Sequence, residues 1–337
     1  MTPPITLGGI TPFPDQLSGA LFGRVTGRIR ADLDRAALEA VTGRRADTTL
    51  AANGQNGQVA RVMRLADAQE AAGTRLALGT GRYEQAGAAL RNIRATAESV
   101  RSTALTAVDA GTGAIAAAAQ DARGALAGVL GALNTSFDGR ALFAGASADG
   151  AAVASADALL AGTAAAMATG TTPDEKRAAL EAYFAPGGGY EADIYRGAAS
   201  DAASLALPDG TRLPAPPRAD AEGIKGLLQG LAVLSHSADL PPMAMADWVR
   251  RGTDMIAGAT EEIVAAEARI GSSLSRLEAV ETQLADERLT ASRALDRIVG
   301  RDAYEAASET QDLETRLQAA YTLTSRLTRL SLTSYLR

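Results

Sequence analysis

From Val62 onward the chain places apolar or small residues, with the polar Gln69 among them, at alternating steps of three and four: Val62, Leu65, Gln69, Ala72, Leu76, Gly79, Tyr83, Ala86, Leu90, Ile93, Ala97, Val100, Ala104 and Ala107. This is the a/d spacing of a coiled coil. At 1.5 Å per residue it predicts a helix roughly 70 Å long, whose seam needs a partner. A second seam runs through Ile270, Leu274, Leu277, Leu284, Ala291, Leu295 and Ile298, interrupted by Glu281 and Arg288, within a nearly continuous helical pattern from about Met245 to Val299. Near the start, Leu21, Val25, Ile29, Leu33, Ala37 and Val41 recur every four residues. They predict a helix over 15–41 that stops at Thr42-Gly43, with glycine as the C-cap. A strict spacing of four drifts around an ideal helix, so this helix needs a groove that follows it or two neighbours. The last helix carries Leu313, Leu317, Ala320, Leu327 and Leu330 and stays apolar as far as Leu332 and Leu336.

Between these ends the texture changes. Gly111-Thr112-Gly113 interrupts the long helix, and a further helix is expected over 114–134. A short apolar strand candidate covers 137–145. The region from about 138 to 219 is rich in Gly, Ala, Thr and Pro. Thr172 and Pro173 are suited to open a helix there that ends near Phe184. Residues 190–195 and 204–213 read as strands, the second turning at Asp209-Gly210. Helices resume over 219–234. The predicted fold is mainly α: a long antiparallel helical bundle or coiled coil formed by the N- and C-terminal segments, with a small α+β insert domain in the middle. The expected division is 1–55, an assembly helix and loop; 56–137, ascending helices; 138–219, the α+β middle domain; 220–299, descending helices; and 300–337, a C-terminal assembly helix.

Composition narrows the chemistry. The 337 residues are 47% hydrophobic but only 4% aromatic, so the core is expected to be alanine and leucine in closely packed helices. There is no cysteine and one histidine, His236, which removes thiolate nucleophiles, disulfides and the usual metal clusters; no metal and no cofactor are predicted. A net charge of −6 lacks the basic footprint of a nucleic-acid binder. The first ten residues show no positive n-region or apolar core of a Sec-type leader, and no stretch is apolar enough for membrane insertion.

Candidate chemistry is sparse. Gly79-Thr80-Gly81 and Gly111-Thr112-Gly113 lack the strand context and spacing of a phosphate cradle and read as packing or hinge positions. His236 has no nucleophile elbow or paired base nearby and reads as a solvated or capping side chain. Carboxylates such as Glu261, Glu262, Glu267 and Glu278 alternate with arginines, as on a solvated helix face. No catalytic residue is expected. The terminal amphipathic helices are expected to pair between subunits, because Glu305, Glu309, Asp312 and Glu314 offset the arginines that a membrane-surface helix would mass on its polar face.

The run Asn134-Thr135-Ser136-Phe137-Asp138-Gly139-Arg140-Ala141-Leu142-Phe143-Ala144-Gly145 resembles the approach to the middle domain in the bacterial flagellin superfamily. Leu313 to Tyr321 and the closing Leu330-Ser331-Leu332-Thr333-Ser334-Tyr335-Leu336 resemble the C-terminus of its hook-associated protein 3 branch, the hook–filament junction members. The resemblance implies a secreted structural subunit, exported unfolded by the flagellar export apparatus, with an export chaperone as a further partner. It also implies a ring of copies of itself that contacts hook-associated protein 1 on one side and flagellin on the other. On this reading the assembly contacts are Leu21, Val25, Ile29 and Leu33 at the N-terminal end and Leu317, Leu327, Leu330, Leu332 and Leu336 at the C-terminal end. Flagellin itself, a non-flagellar secreted coiled-coil scaffold, and an enzyme housed in the insert stand as alternatives.

Overall fold

The structure is a computed structural model that describes residues 15–47, 56–147 and 149–335; the side chains of 15–20, 56 and 327–335 fall outside the description. The described chain is built mainly from helices: α1 (Asp15–Thr42), α2 (Asn56–Ala110), α3 (Thr112–Leu133), α4 (Ala156–Met167), α5 (Pro173–Phe184), α6 (Glu222–Ser235), α7 (Pro242–Val299) and α8 (Ala303–Tyr335). Two antiparallel hairpins complete it, β1 (Ser136–Phe137) with β2 (Arg140–Ala141), and β3 (Leu205–Ala206) with β4 (Arg212–Leu213). The chain divides into two compact units, unit 1 of residues 1–70 and 285–337, and unit 2 of residues 71–284.

Unit 2 holds the main core. Along α2 the predicted seam is buried from Ala72 through Leu76, Tyr83, Leu90, Ile93 and Ala97 to Ala107. Facing it, Ile270, Leu277, Val280 and Leu284 of α7 belong to the same apolar cluster. The polar interruption at Glu281 has a cause: its carboxylate accepts a hydrogen bond of 2.9 Å from Thr80 of α2. Arg94 donates to Glu267 at 3.0 Å, a second polar clamp along the same pair. α3 lies on α6, and α6 crosses α7 at close range because Gly230 and Gly252 present no side chain. A Cβ on Gly230 would meet Ile256 at 2.7 Å, and one on Gly252 would meet Leu234 at 2.9 Å. Small residues permit the approach that aromatics would block.

The helix predicted from Thr172 forms over the expected residues. Thr172 accepts from Glu175 N at 3.2 Å, and Glu175 accepts in return from Thr172 N at 3.1 Å, a reciprocal capping box. The Asp209-Gly210 turn also forms, with Gly210 at φ +85° and Asp209 accepting from Thr211 N. Elsewhere the structure departs from the pattern. Residues 190–194 wind into a π-helical turn rather than a strand, because Tyr190 is driven inward to stack on Phe184, its hydroxyl donating to the Ala219 carbonyl at 2.8 Å. The strand candidate over 137–145 shortens to a two-residue hairpin through Asp138 and Gly139, both at positive φ. α4 was not anticipated; its alanine-rich sequence has weak amphipathic contrast, and only Leu159, Thr163 and Met167 are buried. His236 is buried rather than solvated: it follows α6 as its C-cap, with Thr163 on Nε2 at 2.9 Å and Asp239 on Nδ1 at 3.1 Å.

The run from Asn134 to Gly145 works as a clasp. The Asn134 side chain pairs with both backbone groups of Val153, donating at 3.0 Å and accepting at 2.9 Å. Phe143 and Ala144 carbonyls accept from Ala219 N and Ala198 N. Gly145, at φ +63°, lets the Ser200 carbonyl approach within 2.5 Å of where a Cβ would stand. The two hairpins dock on α2 through the Gly79-Thr80-Gly81 site: a Cβ on Gly79 would meet Leu205 at 2.4 Å, and one on Gly81 would meet Phe137 at 2.6 Å. The helix runs through this site unbroken, so these glycines serve packing, whereas Gly111 at φ +98° breaks the chain between α2 and α3.

Candidate assembly interface

In unit 1, α1 packs on α8 of the same chain. On α8 the inward positions are Ala306, Thr310, Leu313, Leu317, Ala320 and Thr324, alternating steps of four and three. On α1 they are Phe22, Thr26, Ile29, Leu33, Ala36 and Ala40, with the same alternation. The spacing-of-four series crosses this stripe only in its middle. Each step of four overshoots a helical turn by about 40°, so Ile29 and Leu33 are half-buried while Leu21, Val25 and Val41 rotate out to solvent. The terminal helices, expected to pair between subunits, therefore pair first within the chain. Leu317 sits half-buried in that pairing. Leu327, Leu330 and Leu332 lie on the last turns of α8 with their side chains outside the described residues, and Leu336 lies outside them altogether.

A corner that the periodicity did not reveal anchors the pair. Arg44 and Gly300 form an antiparallel bridge: Arg45 N donates to the Val299 carbonyl at 2.8 Å, and Arg301 N to the Gly43 carbonyl at 2.9 Å. Beneath it the Glu39 carboxylate, 6% exposed, accepts from Ala46 N at 2.9 Å and faces Arg301 Nε at 3.4 Å. Arg301 also pairs with Glu309. Arg44 pairs with Asp296 at 2.9 Å, and Asp302 opens α8 by accepting from Tyr304 N and Glu305 N. Thr42-Gly43-Arg44 and Gly300-Arg301-Asp302 are visible in the sequence as two helix breaks. Nothing local to either announces that they join.

Unit 1 also leaves much apolar surface uncovered. Leu21, Val25, Leu38, Val41, Met63, Leu65, Leu289, Tyr304, Tyr321 and Leu323 are all exposed, which is most of the large apolar exposure among the described residues. Arg30 lies over the Tyr321 ring at 5.6 Å. Patches of this kind mark surfaces that meet other proteins.

The insert's candidates for acid–base chemistry are its carboxylates. A cleft of about 530 Å³ at its edge, lined by Phe184, Asp220, Glu222, Lys225 and Gln229 among others, has Lys225 tied to Glu191 at 3.0 Å. The displaced carboxylates there all move down: Glu191 through the Gly187 N–H and Lys225, Asp209 through the Thr211 N–H, and Glu175 to about 2 through Thr171 and Thr172. That is the direction of caps, not of a proton donor poised near neutrality. Among the described residues no His, Cys, Asp and Glu group is set to hold a metal, and no helix is long and apolar enough to cross a membrane.

Residues 253–336, which include most of α7 and all of α8, match the bacterial flagellin C-terminal helical region. Over that stretch the chain is similar to the bacterial flagellin family. Its fold is similar to that of Bacillus cereus FlgL, at 14% identity and a TM-score of 0.53, the match covering 70% of this chain and 98% of that one. It is also similar to a structure described as a flagellar hook-associated protein from Vibrio parahaemolyticus, at 14% identity and a TM-score of 0.54, covering 71% and 95%. No curated protein sequence matches well enough to serve as a relative. The mainly α fold with its small β hairpins is similar to that of these two structures.

Proposed function

We propose that this chain is the hook–filament junction subunit of a bacterial flagellum, a self-assembling ring that joins hook-associated protein 1 to flagellin. The observation that carries the proposal is the FlgL-like fold, which accounts for 98% of the FlgL chain. The Ser331-Leu332-Thr333-Ser334-Tyr335-Leu336 ending points the same way. Function on this reading is mechanical. The α1–α8 pair presents Leu21, Val25, Tyr321 and Leu323 outward, and neighbouring subunits cover them. The sequence pattern assigns Leu327, Leu330, Leu332 and Leu336 to the same joint. A chain without cysteine suits passage unfolded through the flagellar export apparatus, with or without a chaperone, because no disulfide has to be broken.

A strain lacking the gene tests this. The expected phenotype is hooks without filaments and flagellin shed into the medium, as seen by electron microscopy and analysis of the culture supernatant. Intact filaments would overturn the proposal. The match to the flagellin C-terminal region favours flagellin itself as the second reading, and that reading predicts loss of filaments with no flagellin in the medium.

A further inference from the structure

We propose that the groove between α2 and α7 in unit 1 is a socket for Tyr304 of a second copy of this chain. The inference rests on the self-assembly reading above and names one contact within it. The groove has a volume of about 370 Å³, with Val62, Ala66 and Leu295 as its apolar lining and Arg44 and Arg288 beside them. Gln69 closes one side. This side chain is 5% exposed; its Nε2 donates to Glu287 at 3.4 Å, but its Oε1 is buried with no hydrogen-bond partner. Buried acceptors in folded proteins are almost always satisfied, so the socket lacks an occupant that brings one donor on an apolar body.

A tyrosine is such an occupant, a large apolar ring with a hydroxyl that seeks a partner when buried. Tyr304, on the first turn of α8, is 85% exposed. Its acidic neighbours suit a groove with more positive than negative lining: Asp302 and Glu305 lie close to it in sequence, while the groove carries Arg44, which also pairs with Asp296, and Arg288 against one carboxylate, Glu70. Docked, the ring lies on Val62, Ala66 and Leu295, and its hydroxyl donates to Gln69 Oε1. Knob and socket are different patches of the same chain, so the contact is heterologous, the kind that propagates into a ring or a helical array rather than closing as a dimer.

Cysteine cross-linking tests the contact in the full-length chain, which has no cysteine of its own. Tyr304→Cys combined with Ala66→Cys, oxidised in flagellar structures sheared from cells, is expected to give a ladder of covalent multimers of this chain on a denaturing gel. A control pair, Leu21→Cys with Leu323→Cys, reads contact through the exposed faces of α1 and α8. A ladder from the control pair alone overturns the socket and leaves the assembly reading standing; a ladder from neither pair overturns both. Loss of the Tyr304 ring could itself weaken assembly, so hydroxyl deletion provides a second measurement. By sedimentation of variants with unchanged circular dichroism, Tyr304→Phe weakens self-association about fivefold, and the same change made in a Gln69→Leu background has no further effect. An equal loss in both backgrounds overturns the pairing.

Discussion

At Gly300 a single hydrogen atom decides the geometry of the corner. A Cβ there would stand 2.1 Å from the Asp296 carbonyl oxygen, which is backbone and has nowhere to go. Gly300→Ala is therefore expected to open the Arg44–Gly300 bridge and speed amide hydrogen exchange at Arg45 and Arg301, while Trp248 in unit 2 keeps its near-ultraviolet signal. Glu39 is the second such position. Glu39→Ala takes the acceptor from Ala46 N and one of two carboxylates from Arg301, which keeps Glu309, so it is expected to destabilise unit 1 by about 1–3 kcal/mol, read from denaturant unfolding. The Glu175 carboxyl is held at about 2, below its ordinary 4.5, by the Thr171 hydroxyl first and then the N–H groups of Thr171 and Thr172. A depressed carboxyl contributes stability above its unfolded value and loses it as pH falls through the folded one. The stability gap between the natural chain and Glu175→Gln is thus expected to be full at neutral pH and to vanish as pH falls from 4.5 to about 2. Tyrosines shift the other way: burial, helped by Asp220, pushes Tyr195 to about 12 and raises Tyr190 as well. Their contribution persists below pH 10 and is lost as pH rises toward 12, so unit 2 is expected to unfold in alkali as these phenols ionise.

Among the elements, those whose signals are local were legible in the sequence. α1 and α5 form where a four-residue spacing ending at Gly43 and a Thr172-Pro173 start place them, and the α2 seam is buried from Ala72 onward because its partner runs beside it. Leu65 breaks the rule: it is exposed, and Val59 is buried instead with Leu295 and Val299. The elements that were misread depend on distant partners. Tyr190 turns inward only because Phe184 and the Ala219 carbonyl wait for it, so a strand-like pattern yields to a π-helical turn. The hairpins stand where they do because Gly79 and Gly81 leave room on α2. Gly81→Leu is expected to lift the β1–β2 hairpin from α2, which increases proteolysis near Asp138 and leaves helix content, measured by circular dichroism, almost unchanged.

For the whole molecule, order and lengths of the helices carried the mainly α fold, and the run from Asn134 to Gly145 with the closing apolar residues carried the resemblance to the flagellin family. The assembly contacts were less accessible. A periodic pattern shows that a helix has an apolar face but not which neighbour covers it, and α1 spends Ile29 and Leu33 on α8 of its own chain while Leu21 and Val25 stay outside. The corner from Glu39 to Asp302 joins residues more than two hundred and fifty apart, as Arg44 and Asp296 do, and no local signal encodes such a meeting. The central claim, that this subunit forms a collar between hook and filament, is tested most directly by electron microscopy of whole flagella labelled with gold-conjugated antibody against residues 138–219. The account predicts gold in one narrow band where the hook meets the filament. Gold along the full length of the filament, or none on the flagellum at all, would contradict it.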